Sequence, residues 1–168
     1  MNILDQFRYS RDDPSQLNIK LKQDPYEKVG TSKNQNINNL LSTSVKVSKE
    51  IFPGISVAID NVFNRLKIKN SFSFFVTANH LEVQATCSAM PLGDTAEIIL
   101  TSKLIELLNI EELESIIAHE IAHFYYQHSL YPPISEAKTR IEKLNLLNFS
   151  RAAEISADRI GFIGSNDL

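Results

Sequence analysis

With 168 residues and 43% hydrophobic content, the chain can build one domain around a real core and is too short for several. A net charge of −3 without a basic cluster excludes nucleic acid as the main partner. The single cysteine, Cys87, excludes an internal disulfide and suits a reducing compartment, where it serves as a small buried hydrophobe in a strand.

In chain order, residues 1–33 are polar, contain Pro14 and Pro25, and read as an extended or loosely docked arm. Residues 34–168 then form a single domain. Asn34 to Glu50 and Ile55 to Lys67 read as two helices separated by Pro53-Gly54. The run from Ser71 to Thr77 is β-rich, and Glu82 to Cys87 and Ala96 to Leu100 are further strands, the latter pair joined by a turn at Met90 to Asp94. A long helix starts at Ile110 and runs uninterrupted by Gly or Pro to Tyr131, with Asn109 as N-cap and Glu112 in the capping-box position. Acids at 111, 112 and 114 favour the positive end of its dipole, and apolar residues at 113, 116, 117, 121 and 124 recur at helical spacing. A second helix capped by Ser150 carries Glu154 and Asp158. The order is α+β: a sheet of about three strands on two C-terminal helices, preceded by N-terminal helices.

No stretch is long enough to span a membrane, since the apolar run around Ile51 to Ile59 is short and broken by Pro53 and Gly54. Met1 to Arg11 carries Asp5 and Arg8 and lacks the apolar core of a signal peptide. A cytoplasmic location is expected, with membrane association through sequence beyond this chain left open.

Within the long helix, His119-Glu120-Ile121-Ala122-His123 spells H-E-x-x-H. Residues four apart sit about 40° apart around a helix, so both imidazoles can reach one ion, whereas Glu120 projects about 100° from His119 and stands beside it. That is the place for a carboxylate that takes a proton from a zinc-bound water. The bland alternative is a solvated helix that happens to carry two histidines. A third ligand is needed, and Glu154 and Asp158, again four apart, supply it: Glu154 binds the metal and Asp158 accepts a hydrogen bond from a ligand histidine. Taken alone, both read as surface acids. His128 is nine residues past His119, on the opposite side of a straight helix, and reads as a helix-end histidine near the negative pole of the dipole. His80 reads as a surface loop residue.

The segment from Ile99 to Leu108, the acidic helix start, HEIAHFYYQH with Tyr131, and the later EISADRIG resemble the HtpX and CAAX prenyl protease family of zinc metallopeptidases, gluzincins of the Ste type with a His, His, Glu site. The resemblance covers about residues 71 to 164 and implies one Zn2+ held by His119, His123 and Glu154, with Glu120 as general base of peptide-bond hydrolysis and a protein or peptide as substrate. It also places substrate at Gln84, Ala85, Thr86 and Cys87, by β-augmentation. Relatives usually carry an Asn-Ala pair there, where this chain has Gln84-Ala85. Tyr125, Tyr126 and Tyr131 are candidate oxyanion donors, each more commonly a packing residue. A metal-holding pseudo-enzyme or chaperone-like interaction module remains the alternative to an endopeptidase.

Overall fold

Alternate residues of a four-stranded sheet share one face, and that face organises the core. The computed structural model describes residues 2–13, 15, 42–89 and 95–165. Strands β1 (Ser44–Lys46), β2 (Ser71–Thr77), β3 (Ala85–Ala89) and β4 (Thr95–Thr101) lie in the order β1-β2-β4-β3, with β2 and β4 parallel and the other pairs antiparallel. The register sets Phe72 opposite Ala96, Phe74 opposite Ile98 and Val76 opposite Leu100, while Cys87 and Ala85 of β3 face Ile98 and Leu100 in turn. Because side chains alternate along a strand, these residues all point to the same side. There Ile98 and Leu100 are fully buried.

Two helices cover that face. Helix α2 (Pro53–Leu66) begins on Pro53, whose fixed φ suits the first turn, and ends on Lys67 in the left-handed region at φ 54°. It buries Ile55, Ala58, Val62 and Leu66, and Phe63 meets Phe72 edge to face at 5.7 Å. A short helix, α3 (Ser102–Leu107), then leads into α4 (Ile110–Tyr125), whose expected capping box is present: Glu112 N–H donates to Asn109 Oδ1 and Asn109 N–H to the Glu112 carboxylate, both at 2.9 Å. Leu113, Ile117 and Ile121 form its buried stripe.

Glu114, expected as a dipole acid, is instead 2% exposed and accepts hydrogen bonds from Asn61 at 2.6 Å and from Arg65. Helix α4 also stops six residues early. Gln127 takes the left-handed conformation at φ 58° and the chain turns into a 3-10 segment, His128–Leu130.

Helix α5 (Arg140–Ser165) packs along α4 and is longer than expected. Ser150 lies in its middle. The cap is Thr139, whose Oγ1 accepts from Glu142 N–H while the Glu142 carboxylate accepts from Thr139 N–H, each at 3.1 Å. Close approach of the two helices depends on absent side chains. A Cβ at Gly164 would fall 2.2 Å from Ala118 Cβ, and one at Gly161 would meet the Ser115 carbonyl at 3.0 Å and His119 Cβ at 3.6 Å.

Further differences from the sequence reading are local. Of the expected helix from Asn34 to Glu50, residues 34–41 lie outside the described residues and Ser44–Lys46 is a strand, which makes four strands among the described residues rather than three. The expected strand from Glu82 to Cys87 is displaced to Ala85–Ala89, and the turn at Met90 to Asp94 lies outside the described residues. The first part of the expected loose arm is docked. Helix α1 (Ile3–Phe7), capped by Asn2, buries Leu4 completely, a contribution of about 1.5–3 kcal/mol. Tyr126 donates to the Leu4 carbonyl at 2.6 Å and Tyr9 N–H to Ser156 Oγ of α5 at 3.0 Å.

Candidate metal centre

Helical spacing on α4 and the close approach of α5 bring five of the expected residues to one place. His119 Nε2 lies 2.9 Å from His123 Nε2. Glu154 Oε2, from α5, is 3.4 Å from His119 Nε2 and 3.7 Å from His123 Nε2. A tetrahedral ion with bonds of about 2.0–2.2 Å spans donors about 3.3–3.6 Å apart, so one edge of this triangle already fits, a second is long by about 0.1 Å and the third is short by a few tenths of an ångström. Among the described residues these three form a group able to hold a metal ion, their donor atoms all within 4.8 Å of one another. Two nitrogens and one carboxylate oxygen are a donor set suited to zinc.

Hydrogen bonds on the far side of each ring direct these nitrogens. Asp158 Oδ1 is 3.0 Å from His119 Nδ1, so the ring donates there and leaves the Nε2 lone pair facing Glu154. His123 Nδ1 meets His128 Nδ1 at 2.7 Å, and His128 Nε2 meets Asp12 Oδ2 at 3.0 Å. Burial, reinforced by the neighbouring His128 and His119, pushes the His123 imidazole down to about 3, which keeps it neutral.

Glu120 stands beside the triangle, half-buried, at the edge of the sheet. Its carboxylate accepts a hydrogen bond from the Cys87 backbone N–H. Burial raises its pKa above the ordinary carboxylate range; His119 and the Cys87 N–H oppose that rise and the Glu154 charge adds to it. The same surroundings, burial first and Glu120 second, push the Cys87 thiol up to about 12.

The sequence model of peptidase family M48 matches residues 59–144, just over half of the chain, with H-E-x-x-H inside the matched segment. The chain belongs to peptidase family M48. Members are zinc-dependent metallopeptidases, and the mixed α+β architecture with its small sheet is compatible with a zincin-like M48 domain. The match ends before Glu154 and Asp158 and begins after the N-terminal segment, so those parts of the centre rest on geometry alone. No curated protein matches the chain. Among the described residues no helix is long and apolar enough to cross a membrane.

An open cleft of about 620 Å³ runs over the centre of this M48 domain, between β3 and the loop after α4. Ala85, Thr86 and Cys87 line it together with His119, Glu120 and His123. Gln84 does not line it; its backbone pairs with Thr101, N–H to Oγ1 at 3.1 Å and carbonyl from N–H at 3.0 Å. His80 is exposed and within 3.3 Å of Ser102 Oγ, away from the centre.

The three tyrosine hydroxyls are all directed at the N-terminal segment: Tyr125 to Asp5 at 2.9 Å, Tyr126 to the Leu4 carbonyl, Tyr131 to Asp12 at 3.1 Å. They anchor that segment, and Tyr131 also lines the cleft. His128 is not on the far side of α4, because the left-handed turn at Gln127 folds it back over His123. That turn lacks the usual Gly or Asn, which is why the sequence did not signal it. Asp12 had no local signal at all: it lies 116 residues from His128 in the chain.

Proposed function

We propose that this chain is a zinc-dependent endopeptidase of the HtpX and CAAX prenyl protease type, with the metal held by His119, His123 and Glu154. The observation that carries this reading is the convergence of two Nε2 atoms and Glu154 Oε2 from two helices, with Glu120 alongside and out of the triangle. When bound, zinc acidifies its water to a pKa of about 7 and polarises the scissile carbonyl.

The chain's own residues do the rest. Asp158 holds the His119 tautomer through Nδ1. Glu120, whose raised pKa makes it a better proton acceptor than a free carboxylate, takes the water proton and returns it to the leaving amine. Among the described residues β3 is an edge strand, paired with β4 on one side, and it lines the cleft over Ala85 to Cys87. An extended substrate adds to its other side, held by main-chain hydrogen bonds.

The test is turnover of an unstructured protein such as casein by zinc-loaded wild type and Glu120→Gln. Loss of hydrolysis in the variant, with fold retained, is expected, because the amide preserves shape but cannot accept the proton. A wild type that binds zinc yet never cleaves would instead describe a metal-holding interaction module.

A further inference from the structure

The N-terminal segment reaches the centre through a continuous line of side chains. Asp12 is completely buried, and its carboxylate accepts from Arg8 Nε at 3.2 Å, from the Tyr131 hydroxyl at 3.1 Å, from Ser156 and from His128 Nε2 at 3.0 Å. A buried carboxylate costs several kcal/mol unless it is paired and fully hydrogen-bonded, and here every oxygen is engaged. The outcome is a rigid, charged acceptor fixed from three parts of the chain: α1 and its following turn, the loop after α4, and α5.

With His123 Nε2 kept free as a zinc donor, the protons along the line have one placement. A His123 lone pair on Nε2 puts that ring's proton on Nδ1, 2.7 Å from His128 Nδ1, which then accepts it, and His128 Nε2–H donates to Asp12 at 3.0 Å. The reverse placement, with His128 donating from Nδ1, would put the His123 proton on Nε2 and remove it as a metal donor. The His128 side chain is 6% exposed.

We infer that Asp12 and His128 are positioning residues for the metal centre, and that residues 2–13, outside the segment matched to the family, are an integral part of it. The inference rests on the reading of His123 as a zinc ligand. It makes the two histidines unequal in origin, His119 being oriented by an acid one helix away and His123 by a relay that ends in the N-terminal segment.

The experiment compares Asp12→Ala, Asp12→Asn, His128→Ala and His128→Gln with wild type and with His123→Ala. Zinc affinity is measured by chelator competition, and imidazole tautomers by long-range 1H–15N spectra of the metal-free proteins. Asp12→Ala and His128→Ala should weaken zinc by about 10- to 100-fold, the usual cost of losing a partner behind a ligand. They should also move His123 out of the Nδ1–H tautomer while His119, held by Asp158, stays in it. His128→Gln restores an acceptor and should recover part of the loss. Asp12→Asn, near-isosteric and safest to fold, should shift both readouts in the same direction by less. Wild-type affinity and tautomers in the Asp12 and His128 variants overturn the inference, as does a fall in melting temperature with the His123 tautomer unchanged, which marks a merely structural role. Unchanged zinc affinity in His123→Ala overturns the ligand assignment, and the inference with it, and that variant alone tells the two failures apart.

Discussion

Replacing glycine by alanine inside a helix ordinarily stabilises it by about 1 kcal/mol, because alanine loses less backbone freedom on folding. At Gly164 the sign should reverse. The new Cβ would fall 2.2 Å from Ala118 Cβ, whereas carbon atoms in contact rest about 3.5–4.0 Å apart, so α5 and α4 must separate by more than about 1 Å or distort. Overpacking of this kind costs about 1–3 kcal/mol, and an overlap this deep belongs at the upper end. After the helix-propensity gain, Gly164→Ala should lose about 2 kcal/mol, equivalent to a drop in Tm of about 4–8 °C for a chain of this size. Gly54, in the first turn of α2, is the internal control: nothing lies within 4 Å of a Cβ placed there, and Gly54→Ala should be neutral or stabilising by up to about 1 kcal/mol. Urea and thermal unfolding followed by circular dichroism, with chelator present so that metal binding does not contribute, reads both. A Gly164→Ala protein as stable as wild type, or more so, would refute the helix packing that brings Glu154 to His119.

Three further outcomes follow from named contacts. Asp158→Asn should keep the fold and lower zinc affinity or turnover by about 10- to 100-fold, as measured by chelator competition and peptide hydrolysis; wild-type values for both would make Asp158 an ordinary surface acid. Glu114→Ala removes the buried acceptor of Asn61 and Arg65 and, with Arg65 a quarter exposed and still bonded to the Gly164 carbonyl, should cost about 1–3 kcal/mol in urea unfolding; a change below about 0.5 kcal/mol would show the pair to be solvated. With its thiol pushed up to about 12, Cys87 should resist iodoacetamide through neutral and mildly alkaline pH in the folded protein and react readily once unfolded; mass spectrometry showing rapid labelling of folded protein at pH of about 8 would contradict that environment.

Where the signal in the sequence is local, reading and structure coincide. The capping box at Asn109 and Glu112, the period of the apolar stripe on α4 and the aromatic run of β2 are each set by neighbours within a few residues. The errors have the same explanation in reverse. Ser150 resembles a cap, but Thr139 and Glu142 already start the helix, and an exposed serine continues it without a break. The end of α4 turns on Gln127 at positive φ, a conformation that its residue type does not announce. β1 is too short for its alternation to be told from helix. The N-terminal segment reads as polar because its few apolar residues, the buried Leu4 and the partly buried Ile3 and Phe7, are covered by tertiary contacts that no window contains. At the centre, residues that share a helix were legible. The pairing of His128 with His123 needed the turn at Gln127, and that of Asp12 with His128 needed the whole fold.

The central claim is that two imidazoles and Glu154 hold the zinc while Glu120 stands apart from it, and zinc affinity measured side by side for Glu154→Gln and Glu120→Gln tests it most directly. Glu154→Gln should bind zinc markedly more weakly than wild type, because it replaces a charged ligand oxygen by a neutral amide. Glu120→Gln should bind about one zinc per chain with affinity close to wild type. Unchanged affinity in Glu154→Gln, or loss of zinc in Glu120→Gln, would contradict the assignment.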